Sequence, residues 1–459
     1  MPARSLSPQE CWDRLLEARP LNSEDIARLQ QEQRDAGALL GGDRLLANTL
    51  RPLLLDAAQL ERDRAMAQAV VTALVSASRR LEQDPVLAQR YCGDWMTQFG
   101  EFLRIDPGYR QRSVFARLDV LPTPEGPKVI EYNSTPAGFF VDQLSGLFLR
   151  LAGQIGFDRD WQLSPLLVFP RLRDAIIHTY QDWGGTGEPL VILAVPRELG
   201  SYVSGIRTII DILTALGGLR VRYADPGELE FTGGALRHQG EPVGVLIRFF
   251  VLDMIPRLGD RLQGVFAAVR AGAVCMIAAF RNTLLSHKAL FAMLTDPELD
   301  LELPATVSEQ VRACVPWTRL LVEGWTTDPA GQRIDLLPWA LAEREQLVCK
   351  PALGYGGAGV VLGWTVTEAQ WRESLEQAAR RGGSLLQQRV TLIPQRHPLL
   401  AEGTPGAELY ADQNIFIADG ELAGYLTRLS PTLITNISQG AGIVPSFLAT
   451  PRSQQVSGD

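Results

Sequence analysis

The segment from Phe115 to Gly138, FARLDVLPTPEGPKVIEYNSTPAG, constrains this chain more than any other. Two runs of alternating side chains flank a turn supplied by Pro122, Pro124, Glu125, Gly126 and Pro127, so the segment predicts a β-hairpin. On the first strand Arg117 and Asp119 share one face, while Ala116, Leu118 and Val120 share the other. On the second, Glu131 and Asn133 share a face opposed by Ile130 and Tyr132. A hairpin symmetric about Glu125 sets Asp119 opposite Glu131 and Arg117 opposite Asn133, and a bulge would shift that register. Two directly opposed carboxylates repel unless a cation sits between them. Oxygen ligands of this kind suit Mg2+, which keeps waters and takes further ligands from substrate phosphates. Asp119, Glu131 and Asn133 are therefore the candidate metal ligands, and the Arg117 guanidinium offers a planar fork to a phosphoryl oxygen. A salt-bridged surface hairpin accounts for the charges but not for Asn133 in the same row, nor for the Asn-Ser-Thr-Pro-Ala-Gly turn that follows.

Around the hairpin the 459 residues divide into four stretches. Residues 1–110 predict a helical region, long and rich in Ala and Leu, that reads as a packing scaffold. Residues 111–188 hold the hairpin and a further helix. Residues 189–284 alternate short apolar strands (LVILAVP, LRVRYAD, VGVLIRFF, AVCMIAAF) with helical segments such as 204–216, the pattern of an α/β layer on a parallel sheet. Residues 285–459 mix helix (HKALFAMLTD) with the β-rich stretches LVCKPALGYGGAGVVLGW, SLLQQRV and NIFIADGELAGYLTRLSP. In the last of these, Asp419-Gly420 between two apolar runs signals a hairpin. The polar end, PRSQQVSGD, predicts a frayed tail. The fold class expected is α/β with α+β character.

Within the last stretch, Gly354, Gly356 and Gly359 satisfy the G-x-G-x-x-G pattern of dinucleotide sites. That pattern needs a helix after the loop, and here VVLGWTV is β-like, so the Rossmann reading is rejected. No P-loop pattern occurs. A glycine hairpin, Gly357 included, can still point backbone N–H groups at phosphates, with Lys350 at the end of the strand that feeds it. A tight hairpin with a solvated lysine is the plainer reading of this loop alone. Composition adds to the argument here. The 44 basic residues include only three lysines, Lys128, Lys288 and Lys350. A GC-rich genome explains the arginine bias, but a lysine that survives it points to a need for a compact ammonium.

Other features exclude classes. An apolar content of 46% rules out disorder. Five cysteines without C-x-x-C pairs or zinc spacing suit a reducing, cytoplasmic setting. A net charge of -8 argues against a general nucleic-acid binder. The longest apolar stretch, 271–280, is too short to span a bilayer, and the N-terminus lacks the apolar core of a signal peptide. The four histidines show no triad-like spacing, and none is given a catalytic role.

R-x-D, a hairpin, then E-x-N and a small-residue turn resembles the metal-binding end of the ATP-grasp superfamily, as in D-alanine–D-alanine ligases and glutathione synthetases. In those enzymes this end follows the lysine and glycine loop. Here Arg117, Asp119, Glu131 and Asn133 precede Lys350 by more than two hundred residues. That order is similar to the circularly permuted ATP-grasp group, which includes glutathionylspermidine synthetase, trypanothione synthetase and natural-product peptide ligases. Lys288, in SHKALFAML, resembles the first phosphate lysine of the group and Lys350 the second, with the glycine loop as the flap over the triphosphate. Gln387 and Gln388, in LLQQRV, sit where the adenine-contacting hinge strand runs. TRLSPTLITNISQGAGIVP is similar to the closing strand and loop, with Arg428 and Asn436 as polar candidates facing the site. The resemblance covers roughly residues 112 to 447 and leaves the N-terminal 110 outside it.

The resemblance implies a circularly permuted ATP-grasp fold with an added N-terminal helical region. It also implies ATP and Mg2+ as cofactors, and small-molecule carboxylate and amine substrates joined through an acyl phosphate, with ADP and phosphate released. Arg117 would stabilise the transferring group. Arg248 ends the strand in VGVLIRFF, where open α/β sheets place ligands, and is a candidate for a substrate carboxylate or for a structural ion pair. Ser134 and Thr135, just past the metal ligands, touch substrate or serve the turn. A small-molecule kinase of the same superfamily and a non-catalytic nucleotide binder are the alternatives. Binding alone does not require a complete phosphoryl-transfer clamp, which argues against the binder.

Overall fold

A computed structural model describes residues 6–40, 43–134, 141–354, 357–400, 406–435, 437 and 440–452. The hairpin forms from strands Phe115–Leu121 and Lys128–Asn133. Arg117 lies opposite Asn133 and Asp119 opposite Glu131, and then a bulge brings Val120 opposite Val129. The symmetric register thus holds along the polar row, and the bulge takes up the offset on the turn side. Ile130 is left out of the ladder as the extra residue.

Strands from the far end of the chain complete this sheet. Ala407–Ala418 runs antiparallel to the first hairpin strand, with Ile415 opposite Leu118. Glu421–Ser430 returns beside it, and Gly442–Val444 closes the edge. The turn between the long strands is Asp419-Gly420, both left-handed at φ 53° and 82°, as the Asp-Gly signal predicts. One face of the sheet presents Ala116, Leu118, Val120, Ile415 and Ile417, none more than 2% exposed. They share an apolar core with Leu60, Val70 and Leu74 of the helix Ala57–Gln83. The opposite face is apolar at one end, where Phe115 stacks on Phe416 at 5.9 Å, and polar at the other.

Among the described residues, 8–103 contain five helices, in keeping with the helical pattern read there. The same region also holds Leu53–Leu55, a short strand that the sequence did not announce. It pairs in parallel with Ser446–Pro451, so the scaffold is tied to the chain's far end by backbone hydrogen bonds. Leu190–Ala194, Arg220–Ala224, Val245–Arg248 and Cys275–Ile277 form the parallel sheet that the alternation predicts. A third sheet orders Thr318–Leu320, Ser384–Gln388, Leu347–Pro351 and Val361–Leu362. Among the described residues all five cysteines are free, and no helix is long and apolar enough to cross a membrane.

One carboxyl behind the hairpin carries a pH signature. Asp142 accepts the N–H groups of Val168 and Phe169, at 3.0 and 2.9 Å, at the start of helix Val168–Asp182. Burial raises its pKa to about 6 against the pull of those two amides. A carboxyl raised on folding binds protons in the folded chain first. Its contribution is therefore most favourable below about pH 4 and is lost as pH rises through about 6. Denaturant titrations at pH 4 and 7 should show wild type losing roughly 2 kcal/mol relative to Asp142→Asn. Equal pH dependence in the two proteins would refute the assignment.

Candidate active site

The polar end of the sheet face gathers around Asp119. Its Oδ1 accepts Arg117 Nε at 2.7 Å and Asn133 Nδ2 at 3.1 Å, and its Oδ2 accepts Arg117 Nη2 at 3.2 Å and Arg428 Nη2 at 3.3 Å. Burial opposes its charge, but the Arg117 and Arg428 guanidiniums outweigh it and hold the carboxyl below the usual range. Opposite, Glu131 Oε1 pairs with Lys288 Nζ at 3.2 Å. The cation expected between the two carboxylates is therefore supplied by the protein's own side chains, and their repulsion by itself no longer calls for a metal. The donor set still fits Mg2+: every ligand atom is oxygen, and Glu131 Oε2 and Asn133 Oδ1 have no protein partner among the described residues. No group of three or more His, Cys, Asp or Glu side chains among the described residues is placed to hold an ion, so the fit depends on Asn133.

Both distant lysines reach this hairpin, and both are 6% exposed. Lys288 precedes helix Ala289–Leu294, and its Nζ also donates to the Gly354 carbonyl at 2.9 Å. Lys350, on Leu347–Pro351, donates Nζ to the Ile130 carbonyl and to Gln387 Oε1, each at 2.9 Å. The acceptor is thus the residue that the bulge removed from the ladder. Burial lowers the Lys350 ammonium to about 8; Lys288 pushes the same way, while Glu131 and Asp119 oppose it. Lys350 is not the solvated lysine of a plain hairpin. Lys128, beside the turn, donates to the Ala313 carbonyl instead.

The glycine segment is the expected strand, loop and strand, with Cys349 opposite Val361. Gly354, Gly357 and Gly359 have φ of 133°, 77° and 75°, values that a side chain would strain. Gln387 is buried under Lys350 and donates Nε2 to Thr318 Oγ1 at 3.0 Å, whereas Gln388 is exposed on the opposite face. Ser134 donates its N–H to Ser286 Oγ at 2.8 Å, and the two hydroxyls lie 2.6 Å apart. That pair ties the hairpin's exit to the segment carrying Lys288. His287 between them is a packing group: its ring lies 5.1 Å from Trp95, and burial with the adjacent Lys288 lowers its pKa to about 3. Thr135, Gly356 and Asn436 lie outside the described residues.

Arg248 stands apart. It is completely buried, donating Nε to the Ala278 carbonyl at 2.8 Å, Nη2 to Thr283 Oγ1 at 2.7 Å and Nη1 to the Phe250 carbonyl. Burial lowers its pKa to about 10. The guanidinium makes no ion pair among the described residues. It braces the loops that leave two parallel strands, because the segment after Cys275–Ile277 closes over it.

Sequence reasoning missed Asp412, Asn414 and Thr435. Asp412 and Asn414 share a face of Ala407–Ala418, and Asn414 Oδ1 accepts the Val120 N–H at 3.0 Å. The D-x-N spacing was a signal of the same kind as R-x-D, but only strand pairing shows that the two rows adjoin. Elsewhere, a surface recess of about 420 Å³ lies between helices Ser23–Asp35 and Ser145–Ile155. Its charges already pair, Arg28 with Asp25 at 2.8 Å and Arg150 with Glu32 at 2.6 Å, so it does not compete as a site.

No protein-family profile matches the chain, and no curated protein does. Among solved structures it is similar to a glutathione synthetase-like effector from Globodera pallida in apoform, with TM-score 0.57, 12% identity, and coverage of 98% of this chain and 99% of that one. A protein assigned as a gamma-glutamylcysteine synthetase from Methylobacillus flagellatus aligns at TM-score 0.42 and 12% identity, over 81% of this chain and 86% of that one. At 12% identity the first likeness is one of fold: the chain shares a mixed helix-and-sheet architecture with a glutathione synthetase-like protein.

Proposed function

We propose that the chain is an ATP-dependent ligase of the ATP-grasp type that joins a small-molecule carboxylate to an amine. We read the order of its motifs, hairpin ligands first and phosphate lysines later, as the circularly permuted one. The observation that carries this reading is the convergence of two of only three lysines on one hairpin, with Lys288 on Glu131 and Lys350 on the Ile130 carbonyl. Both ammoniums are buried against oxygen acceptors beside the glycine loop, where phosphate oxygens would replace those acceptors. Lys288 and Lys350 then bind the triphosphate in the ground state. Arg117 and Arg428 meet the charge that moves during transfer, which is where preorganised donors accelerate a loose phosphoryl transition state.

Glu131 and Asn133 would hold Mg2+ through their open oxygens, and Asp119 would join them by exchanging a guanidinium contact for the ion, which would supply charge neutralisation on the phosphates. Ser134 and Thr135 follow directly and are assigned to substrate, and Gln387 and Gln388 to the nucleobase end. In the reaction, the substrate carboxylate attacks the γ-phosphorus and ADP leaves. The amine then displaces phosphate from the acyl group to form the amide. Free cysteines suit a reducing, cytoplasmic setting for such chemistry.

The test is MgATP turnover across panels of carboxylate and amine pairs, with product mass determined. ADP and orthophosphate are expected, and hydroxylamine in place of the amine should trap a hydroxamate. Stoichiometric AMP with the correct pair would overturn the route. A phosphate ester without hydroxamate would identify a kinase.

A further inference from the structure

We infer that Asp412 is the positioning residue for Arg428: it locks one edge of the guanidinium and leaves the other to the transferring phosphoryl group. This rests on the nucleotide reading above. Asp412 is 1% exposed and receives five donors. Arg428 supplies Nε at 2.7 Å, Nη2 at 2.5 Å and its backbone N–H at 3.1 Å. Asn414 Nδ2 donates at 2.9 Å, and the Thr435 hydroxyl donates as well. A carboxylate has about four lone-pair sites, so Asp412 has no capacity left for a metal or a substrate. It acts only through the group it holds.

The geometry of Arg428 follows. Asp412 and Arg428 are directly opposed across the strand pair, and both the backbone and the side chain of the arginine are clamped. Nη2 bridges onward to Asp119, while Nη1 has no protein partner among the described residues. Charges therefore alternate from Asp412 through Arg428 and Asp119 to Arg117 across three adjacent strands. Removing one member of such a buried row leaves its partner uncompensated and free to reorient. Burial raises the Asp412 carboxyl, with Arg428 and Thr435 as the counterweights, so its charge is tied to the arginine it orients.

Calorimetric titration with MgADP, alone and with aluminium fluoride as a planar phosphoryl mimic, tests this. Wild type should bind MgADP and bind it more tightly with fluoride present. Asp412→Asn should keep MgADP affinity within about twofold yet lose about tenfold or more of the fluoride-dependent tightening. Arg428→Ala should lose a similar factor, and the double variant little more than either, because the two act as one unit. A merely structural aspartate would lower the melting temperature and leave the tightening ratio unchanged. An unchanged ratio in folded Asp412→Asn, or losses that multiply in the double variant, overturns the inference. If Asp412→Asn does not fold, added guanidinium should restore tightening to Arg428→Ala, in which Asp412 still holds the vacated place; no restoration overturns it. Absence of MgADP binding by wild type overturns the nucleotide reading itself, and this inference with it.

Discussion

Glu131→Gln is expected to lower MgATP-dependent turnover by at least about a hundredfold, the scale of removing one transition-state stabiliser. Asp119→Asn should lose as much activity, but the two variants differ in cost to the fold. Among the described residues Glu131 has one ionic partner, Lys288, whereas Asp119 carries two guanidiniums and the Asn133 amide. Breaking a buried ionic network typically costs about 3–5 kcal/mol, so Asp119→Asn should also lower the melting temperature. Glu131→Gln leaves Lys288 an amide oxygen and its Gly354 contact, so it should melt closer to wild type than Asp119→Asn, which makes it the cleaner probe. The measurements are turnover per folded molecule and a thermal melt for each variant. Near-normal turnover in Glu131→Gln would show that the hairpin is only structural.

Lys350→Ala should weaken ATP binding by about tenfold or more, since a charge-assisted contact is worth roughly 1.5–3 kcal/mol. Lys350→Arg should not restore it. The ammonium sits between the Ile130 carbonyl and Gln387 Oε1, each 2.9 Å away, in a buried slot that a planar guanidinium does not match. Arg117→Ala should behave in the opposite way, binding ATP nearly normally but turning over slowly. Loss of a ground-state contact raises apparent KM, whereas loss of a contact made only in the transition state lowers kcat. Nucleotide titrations beside steady-state kinetics separate the two. A wild-type Lys350→Arg would defeat the argument from lysine scarcity, and an Arg117→Ala that loses affinity but keeps kcat would reverse the roles assigned.

Period-two alternation by itself determined that Arg117, Asp119, Glu131 and Asn133 form one polar row, because successive strand side chains leave on opposite faces whatever the strand later packs against. The same local geometry made the Asp419-Gly420 turn legible, and with it the strand–loop–strand around Gly354 and Gly359. The parallel layer was legible because its strands and helices alternate along the chain. Lysine scarcity marked Lys288 and Lys350 without indicating where they reach.

Tertiary structure decided what each row faces. Asp412 stands almost three hundred residues from Asp119 in sequence, and no local period couples them; strand pairing alone makes Arg428 bridge the two. Through the bulge between Asp119 and Val120 the Ile130 carbonyl leaves the ladder, and it becomes an acceptor for Lys350, which lies 220 residues away along the chain. Arg248 looked available at a strand end, yet the segment that follows the next strand closes over it. Alternation along a strand is set by backbone geometry within a few residues, whereas neighbours across strands are chosen by which distant segments bury their apolar faces together, and only the folded chain makes that choice.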